Sequence, residues 1–214
     1  MKNLTKGVLA PVLSIIVVIG VAGVFLALRT QAPSAPTGAF WPLATTGTTF
    51  TSPTSAAYSL ATKYAGMKNV VIDSSLQSSE ETWTVVLQSG QTGPHTTVTL
   101  VKDPSTKTWW VTYAVAQDIT LESPHWNQVV SSPIHLSGQS TAYEALINGA
   151  IRLRATAKSE SYFYDMGGAN GILGTFSKTI SLVRSAGHPL VIFLKELSAK
   201  DGGVLEFSAV PIFG

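Results

Sequence analysis

The chain has 214 residues, 45% of them hydrophobic and only 12% charged, with a formal net charge of +2 and no cysteine. That length holds one medium domain or two small ones with appendages, and the charged share is about half the roughly 25% usual in soluble domains. The missing cysteine excludes disulfides, cysteine-ligated zinc and thiol catalysis together.

Val8 to Leu28 carries no charge, and as a helix at ~1.5 Å per residue it covers ~30 Å, the thickness of a bilayer's hydrocarbon core. A cleaved signal needs a shorter apolar region, about 7–15 residues, followed by small residues. Here Arg29-Thr30-Gln31-Ala32-Pro33 comes next, so an uncleaved transmembrane anchor is the favoured reading and a cleaved signal the alternative. Lys2 and Lys6 precede the run and Arg29 alone stands close behind it. This bias places the N-terminus in the cytoplasm and everything after Arg29 outside the cell membrane. Residues 1–31 are therefore expected to form a cytoplasmic tip and single-pass anchor. Without Lys2, Lys6 and Arg29, eleven basic residues face twelve acidic ones. The basic character belongs to the anchor, and no clustered basic footprint remains for nucleic acid.

Residues 32–52 are rich in Ala, Pro, Thr, Ser and Gly and read as an extended linker. Phe40-Trp41-Pro42-Leu43 interrupts it. These residues are expected to dock on the folded part, the membrane interface being the other place for them.

Residues 53–117 read as a small α+β domain. Ser52 suits an N-cap and Pro53 the first helical position. Ala57, Leu60, Ala61 and Tyr64 share one helical face, and Gly66 is a C-terminal stop. Alternation then predicts strands over 81–89, 96–102 and 109–116, with Asp103-Pro104-Ser105-Thr106 as a turn carrying Pro at its second position. The expectation is one helix on an antiparallel meander of three or four strands. Ala116-Gln117-Asp118 is a short connection to the C-terminal region.

From Asp118 the pattern is all β. Strands are expected near 119–122, 133–138, 150–157, 161–164, 176–183, 190–197 and 204–211, which suits an immunoglobulin-like β-sandwich over 118–214. Leu190-Val191-Ile192-Phe193-Leu194 is apolar on both faces, as a central strand covered on both sides would be. His135, between Ile134 and Leu136, should face away from them. The fold class expected for the whole chain is mainly β.

The stretch "ITLESPHWNQVVSSPIHLSGQSTAYEALINGAIRL", followed by "LVIFLKELSAKDGGVLEFSAVPI", resembles the immunoglobulin-like domain of bacterial spore germination proteins over about residues 118–213. The features that carry the resemblance are Ser123-Pro124, the Val130-Ser131-Ser132-Pro133 turn, Leu136-x-Gly138, Tyr143-Glu144 and the Ser198-x-x-Asp201-Gly202 hairpin. Ser159 to Gly174 departs from the pattern as a long insert, expected to be a projecting hairpin. The resemblance implies a sandwich fold and a link to sporulation or germination. The family carries no assigned catalytic residues, so none transfers.

The chemistry-bearing residues do not form a motif. His95, His125, His135 and His188 lack the spacing of a zinc helix, and no Gly-x-Ser-x-Gly elbow holds a nucleophile. Gly168, Gly171 and Gly174 lack the Lys-Ser/Thr of a phosphate loop. Glu80 and Glu81 are adjacent on a strand and point to opposite faces. No catalytic, cofactor-binding or metal-ligating residue is expected, no cofactor is implied, and the protein reads as no enzyme. The positive signal is aromatic. Trp126, Tyr143, Tyr162, Phe163 and Tyr164 are the candidates for a binding surface for proteins or sugars, set against capping of the sandwich core, which is the favoured role for such residues. The expected function is that of a membrane-anchored extracytoplasmic structural or interaction protein, linked to sporulation, spore germination or envelope assembly. Its partners would be the membrane through the N-terminal helix, envelope or spore proteins, or wall polymers. The alternative is a cell-wall carbohydrate-binding module or an accessory subunit of an envelope enzyme.

Overall fold

A computed structural model describes residues 35–142, 147–166, 171–182 and 187–214. The apolar run Val8–Leu28, expected to be the anchor, lies outside the described residues, as does Tyr143. No helix among the described residues is long and apolar enough to cross a membrane.

Among the described residues, a single 3-10 turn (Ala44–Thr46), one α-helix and eleven strands come after the Phe40 region. Helix α1 runs over Pro53–Ser59 and continues as a π-helical stretch, Leu60–Ala65. The Ser52 side chain accepts the Ser55 N–H as the expected N-cap. Gly66 ends the helix at φ 75°, where its N–H reaches the Ala61 carbonyl. A residue with a Cβ is strained at that angle. Ala57, Leu60, Ala61 and Tyr64 are all buried, as their spacing requires.

Strands β1 (Val70–Gln77), β2 (Thr82–Ser89), β3 (His95–Lys102) and β4 (Trp109–Ala116) form the meander. The β3–β4 turn is built on Asp103, whose carboxylate accepts the Ser105 N–H at 2.8 Å, the Ser105 hydroxyl at 2.7 Å and the Thr106 hydroxyl at 2.9 Å. β1 has no counterpart among the strands expected from alternation. It is an edge strand exposed on both faces along almost its whole length, so burial imposes no alternation on its sequence.

All seven expected strands of the C-terminal region are present: β5 (Ile119–Ser123), β6 (Ile134–Ser140), β7 (Ile147–Leu153), β8 (Ser159–Met166), β9 (Gly174–Ile180), β10 (Pro189–Leu197) and β11 (Val204–Phe213). They divide between two sheets. β5-β6-β9 is a three-stranded sheet, while β11, β10, β7 and β8 complete an eight-stranded sheet of order β1-β2-β3-β4-β11-β10-β7-β8. His135 is exposed between buried Ile134 and Leu136, as alternation requires.

The sheet order joins the two sides of the division expected at residue 118 in one eight-stranded sheet. Pro33–Gly214 is one compact unit, because β11, the last strand of the chain, pairs with both β10 and β4. The two cores lie on opposite faces of the shared strands. Val191 and Phe193 on β10 and Phe207 and Ala209 on β11 join the core under α1. Leu190, Ile192 and Leu194, with Val210 and Ile212, join the core under β5-β6-β9. This double burial accounts for the two-faced apolar run of β10.

Within residues 32–52, the expected docking of Phe40 and Trp41 on the folded part is present. Phe40 and Trp41 are buried in the α1 core. The Phe40 N–H donates to the Val111 carbonyl at 3.0 Å, and the Val111 N–H to the Trp41 carbonyl at 2.7 Å. Further along, the Trp109 N–H reaches the Phe50 carbonyl at 2.8 Å. Burying two large aromatic rings contributes several kcal/mol at about 25 cal/mol per Å², enough to hold this strap on the sheet. Of the expected insert, Ser159–Met166 is β8, an edge strand paired along β7 within the eight-stranded sheet.

Candidate functional site

The face of β7, β8 and β10 opposite the three-stranded sheet carries a groove that joins two cations to two exposed tyrosines. Its construction begins at Gly149. Ile147 and Ile151 point into the sandwich core, and Gly149 lies between them on the same face. A Cβ there would stand 1.9 Å from the Phe163 ring, so glycine makes the room that Phe163 fills. Asn148, Ala150 and Arg152 consequently face the other way. On β8 the same alternation sends Phe163 inward, 3% exposed, and leaves Tyr162 and Tyr164 outward at 68% and 58%. Phe193, Lys195 and Leu197 come from β10.

These side chains enclose a groove of about 240 Å³. The Arg152 guanidinium closes one end. It lies 3.9 Å from the Phe193 ring centroid and 4.6 Å from that of Tyr64, and Nη1 donates to the Tyr64 carbonyl at 2.9 Å. Stacking of this kind contributes about 0.5–2 kcal/mol per pair, and more strongly where water is excluded. Tyr64 in turn meets Phe40, Trp41 and Phe193 with ring centroids 5.6–5.8 Å apart, so strap, helix and β10 hold the arginine from behind. Burial pushes the Tyr64 hydroxyl up to about 12, against the pull of the Arg152 charge. Beside Arg152, burial and then the arginine's own charge hold the Lys195 ammonium below its ordinary value. Among the described residues no carboxylate lies within ion-pair distance of either cation; the ion pair found there joins His95 to Asp73 at 3.9 Å.

Trp126 stands elsewhere, in the loop between β5 and β6. Its indole N–H donates to the Thr112 carbonyl at 3.2 Å, which fixes a ring that is still 51% exposed. The ring borders a second cavity of about 530 Å³ with Thr37, Thr99, Thr112, Tyr113 and His125. The expected aromatic surface is thus divided. Tyr162 and Tyr164 share one groove and Trp126 has its own. Phe163 belongs to the sandwich core, the capping role expected for these aromatics, as the period of two along β8 requires. The four histidines stand on separate elements and converge on no common point. Glu80 and Glu81 are both exposed.

One cluster escaped sequence reasoning. Asp118, Glu196 and Glu206 bring carboxylate oxygens within 4.8 Å of one another, close enough in principle to share a cation. Glu206 is fully buried and accepts the backbone N–H of Gln117 at 2.7 Å and of Asp118 at 3.1 Å. Burial pushes its carboxyl up to about 8, and the charges of Asp118 and Glu196 push in the same direction. With its oxygens engaged by the link between β4 and β5, Glu206 acts as a structural clasp. Nothing in the sequence signals it, because Asp118 and Glu206 meet only through the β11 crossover.

Residues 118–203 match the family model described as the immunoglobulin-like domain of bacterial spore germination. The match ends one residue before β11. It includes Gly138, where a Cβ would lie 2.1 Å from the Thr120 carbonyl oxygen and 2.5 Å from the Phe176 ring, which gives the Leu136-x-Gly138 pattern a packing cause. No curated protein and no solved structure matches the chain.

Proposed function

We propose that the protein is a membrane-anchored, extracytoplasmic interaction protein linked to sporulation, spore germination or envelope assembly. It works by binding rather than catalysis, through the β7-β8-β10 groove face. The observation that carries this reading is the pair Tyr162 and Tyr164. Both rings stand outward beside a core that Phe163 already fills, and large exposed aromatics next to an arginine are the composition of a contact surface. The family match over 118–203 supports the link to germination. The uncharged run Val8–Leu28 behind Lys2 and Lys6 supports the anchor and its orientation. Envelope or spore proteins are the partners that suit such a face.

The test is capture of envelope proteins by the detergent-solubilised full chain. Tyr162→Ser with Tyr164→Ser should leave folding intact and remove the captured partner. Unchanged capture by the double variant would contradict the assignment.

Trp126 favours a second reading, a wall-carbohydrate module. A ring held by its N–H and exposed on its face, beside threonine hydroxyls, is suited to stacking on a sugar. Binding to a glycan panel that disappears with Trp126→Ala and persists with the tyrosine double variant would support that reading over the first.

A further inference from the structure

We infer that the β7-β8-β10 groove receives an acidic side chain of a partner protein, whose carboxylate meets the Arg152 and Lys195 cations while its stem rests along the tyrosines and Leu197. This rests on the reading of the same face as the contact surface.

Charge is the first ground. Two cations line the same groove on one face of the sheet, Arg152 opposite Val191 and Lys195 opposite Asn148, and the described residues supply no carboxylate to either. Like charges brought together in a partly desolvated place repel, and an incoming anion relieves both desolvation and repulsion. The lowered Lys195 value reports the same strain. Arg152 is already fixed by two rings and the Tyr64 carbonyl, so little rotamer freedom remains to be lost on binding.

Size and lining are the second ground. At about 240 Å³ the groove lies below the ~300–1,000 Å³ of ordinary small-molecule sites. It takes one side chain of a larger surface rather than a whole ligand. The exposed Tyr162 and Tyr164 rings and Leu197 offer an apolar wall to the methylene stem of an aspartate or glutamate, and the cations meet its end. A sugar ring brings several hydroxyls at once, and away from the cations and phenols only the Asn148 amide is placed to meet them. Tyrosine and arginine together are also the residues on which protein contact energies concentrate.

The experiment uses the full chain in detergent micelles and short fluorescent peptides that alternate alanine with glutamate, glutamine or lysine. The glutamate peptide should bind, and the glutamine peptide should bind at least about tenfold more weakly, as loss of a charge-assisted contact requires. Lys195→Gln should weaken the glutamate peptide, and Lys195→Glu should abolish its binding and admit the lysine peptide. The melting transition of each variant is measured alongside, and Lys195→Gln remains informative where charge reversal disturbs folding. Equal binding of the glutamate and glutamine peptides, or no binding of either, would overturn the inference. So would polygalacturonate competing more strongly than the glutamate peptide at equal carboxylate concentration, since that identifies an acidic polymer as the occupant. If Tyr162→Ser with Tyr164→Ser loses the captured envelope partner while Lys195→Glu retains it, the contact surface stands and the acidic anchor falls.

Discussion

The carboxylate of Glu206 accepts the backbone N–H of Gln117 at 2.7 Å, and this bond joins the last strand of the chain to the link between β4 and β5. Around it, the Ala116 N–H donates to the Ser208 hydroxyl oxygen at 2.9 Å, and the Phe207 N–H to that of Thr96 at 3.1 Å. The helix-and-meander half and the sandwich half are therefore fastened by side chains of β11 as well as by its pairing. A connection as short as Gln117-Asp118 leaves no free hinge between them.

That clasp makes stability depend on pH. Burial, with the charges of Asp118 and Glu196 adding to it, raises the Glu206 carboxyl from 4.5 to about 8. The folded state then binds more protons than the unfolded chain between those values. Its stabilising contribution is complete below about pH 4.5 and lost as pH rises through 8. Unfolding free energy from urea titrations should fall by a few kcal/mol between pH 5 and 8.5, since each tenfold difference in proton affinity is worth about 1.4 kcal/mol. Glu206→Gln should flatten the slope. At the acid end the sign reverses for Asp103, whose carboxyl the Ser105 and Thr106 donors hold below its ordinary value. Its contribution disappears as pH falls through that lowered value, so stability should peak in mildly acidic solution. A wild-type profile flat from pH 5 to 8.5 would refute the role given to Glu206.

The strap should behave as part of the fold. Phe40 is 2% exposed and touches Tyr64. Phe40→Ala should cost about 3–5 kcal/mol, the usual range for a large buried ring, as measured by denaturant midpoint at unchanged slope. An effect below ~1 kcal/mol would return residues 32–52 to the status of a linker.

Gly149→Ala should destabilise through collision with Phe163, and Gly138→Ala through collision with Phe176 and the Thr120 carbonyl. Each should cost about 1–3 kcal/mol or more, as overpacking does. The double variant Gly149→Ala with Phe163→Leu should recover part of the loss. Strictly additive effects in that cycle would deny the contact.

The tyrosines and the phenylalanine between them should part company. Tyr162→Ser with Tyr164→Ser should shift the melting temperature by only a few degrees, as surface changes do, whereas Phe163→Ala should cost about 3–5 kcal/mol. Calorimetry of the two variants decides it, and a large loss from the tyrosine pair would place those rings in the core.

The legible parts of the fold are those where burial writes a pattern into the sequence. The helix face from Ala57 to Tyr64, the strands with one buried face and the doubly buried β10 run can all be read, because water on one side or neither fixes each position. β1 cannot, since exposure on both faces leaves Val70–Gln77 without a period. Phe163 groups with its neighbours in the sequence because three consecutive aromatics look alike until β8 is recognised as a strand with a period of two. The carboxylate clasp and the groove are hidden for a different reason. Arg152 and Lys195 are 43 positions apart and line one groove because β7 pairs antiparallel with β10. Glu206 meets Asp118 because the chain returns at its very end to lie beside β4. Pairings of that range leave no local trace.

The central claim, that the β7-β8-β10 groove face is where this protein meets its partner, is tested most directly by photo-crosslinking in the native host. A photoreactive phenylalanine analogue replaces Tyr162 in the full chain, and in a control replaces Leu76, which is 69% exposed on the far edge strand β1 of the same sheet. A discrete crosslinked species from position 162, absent from position 76 and lost with Lys195→Glu, is the result expected. Crosslinks of equal yield and pattern from both positions, or none from position 162 in cells where position 76 gives them, would contradict it.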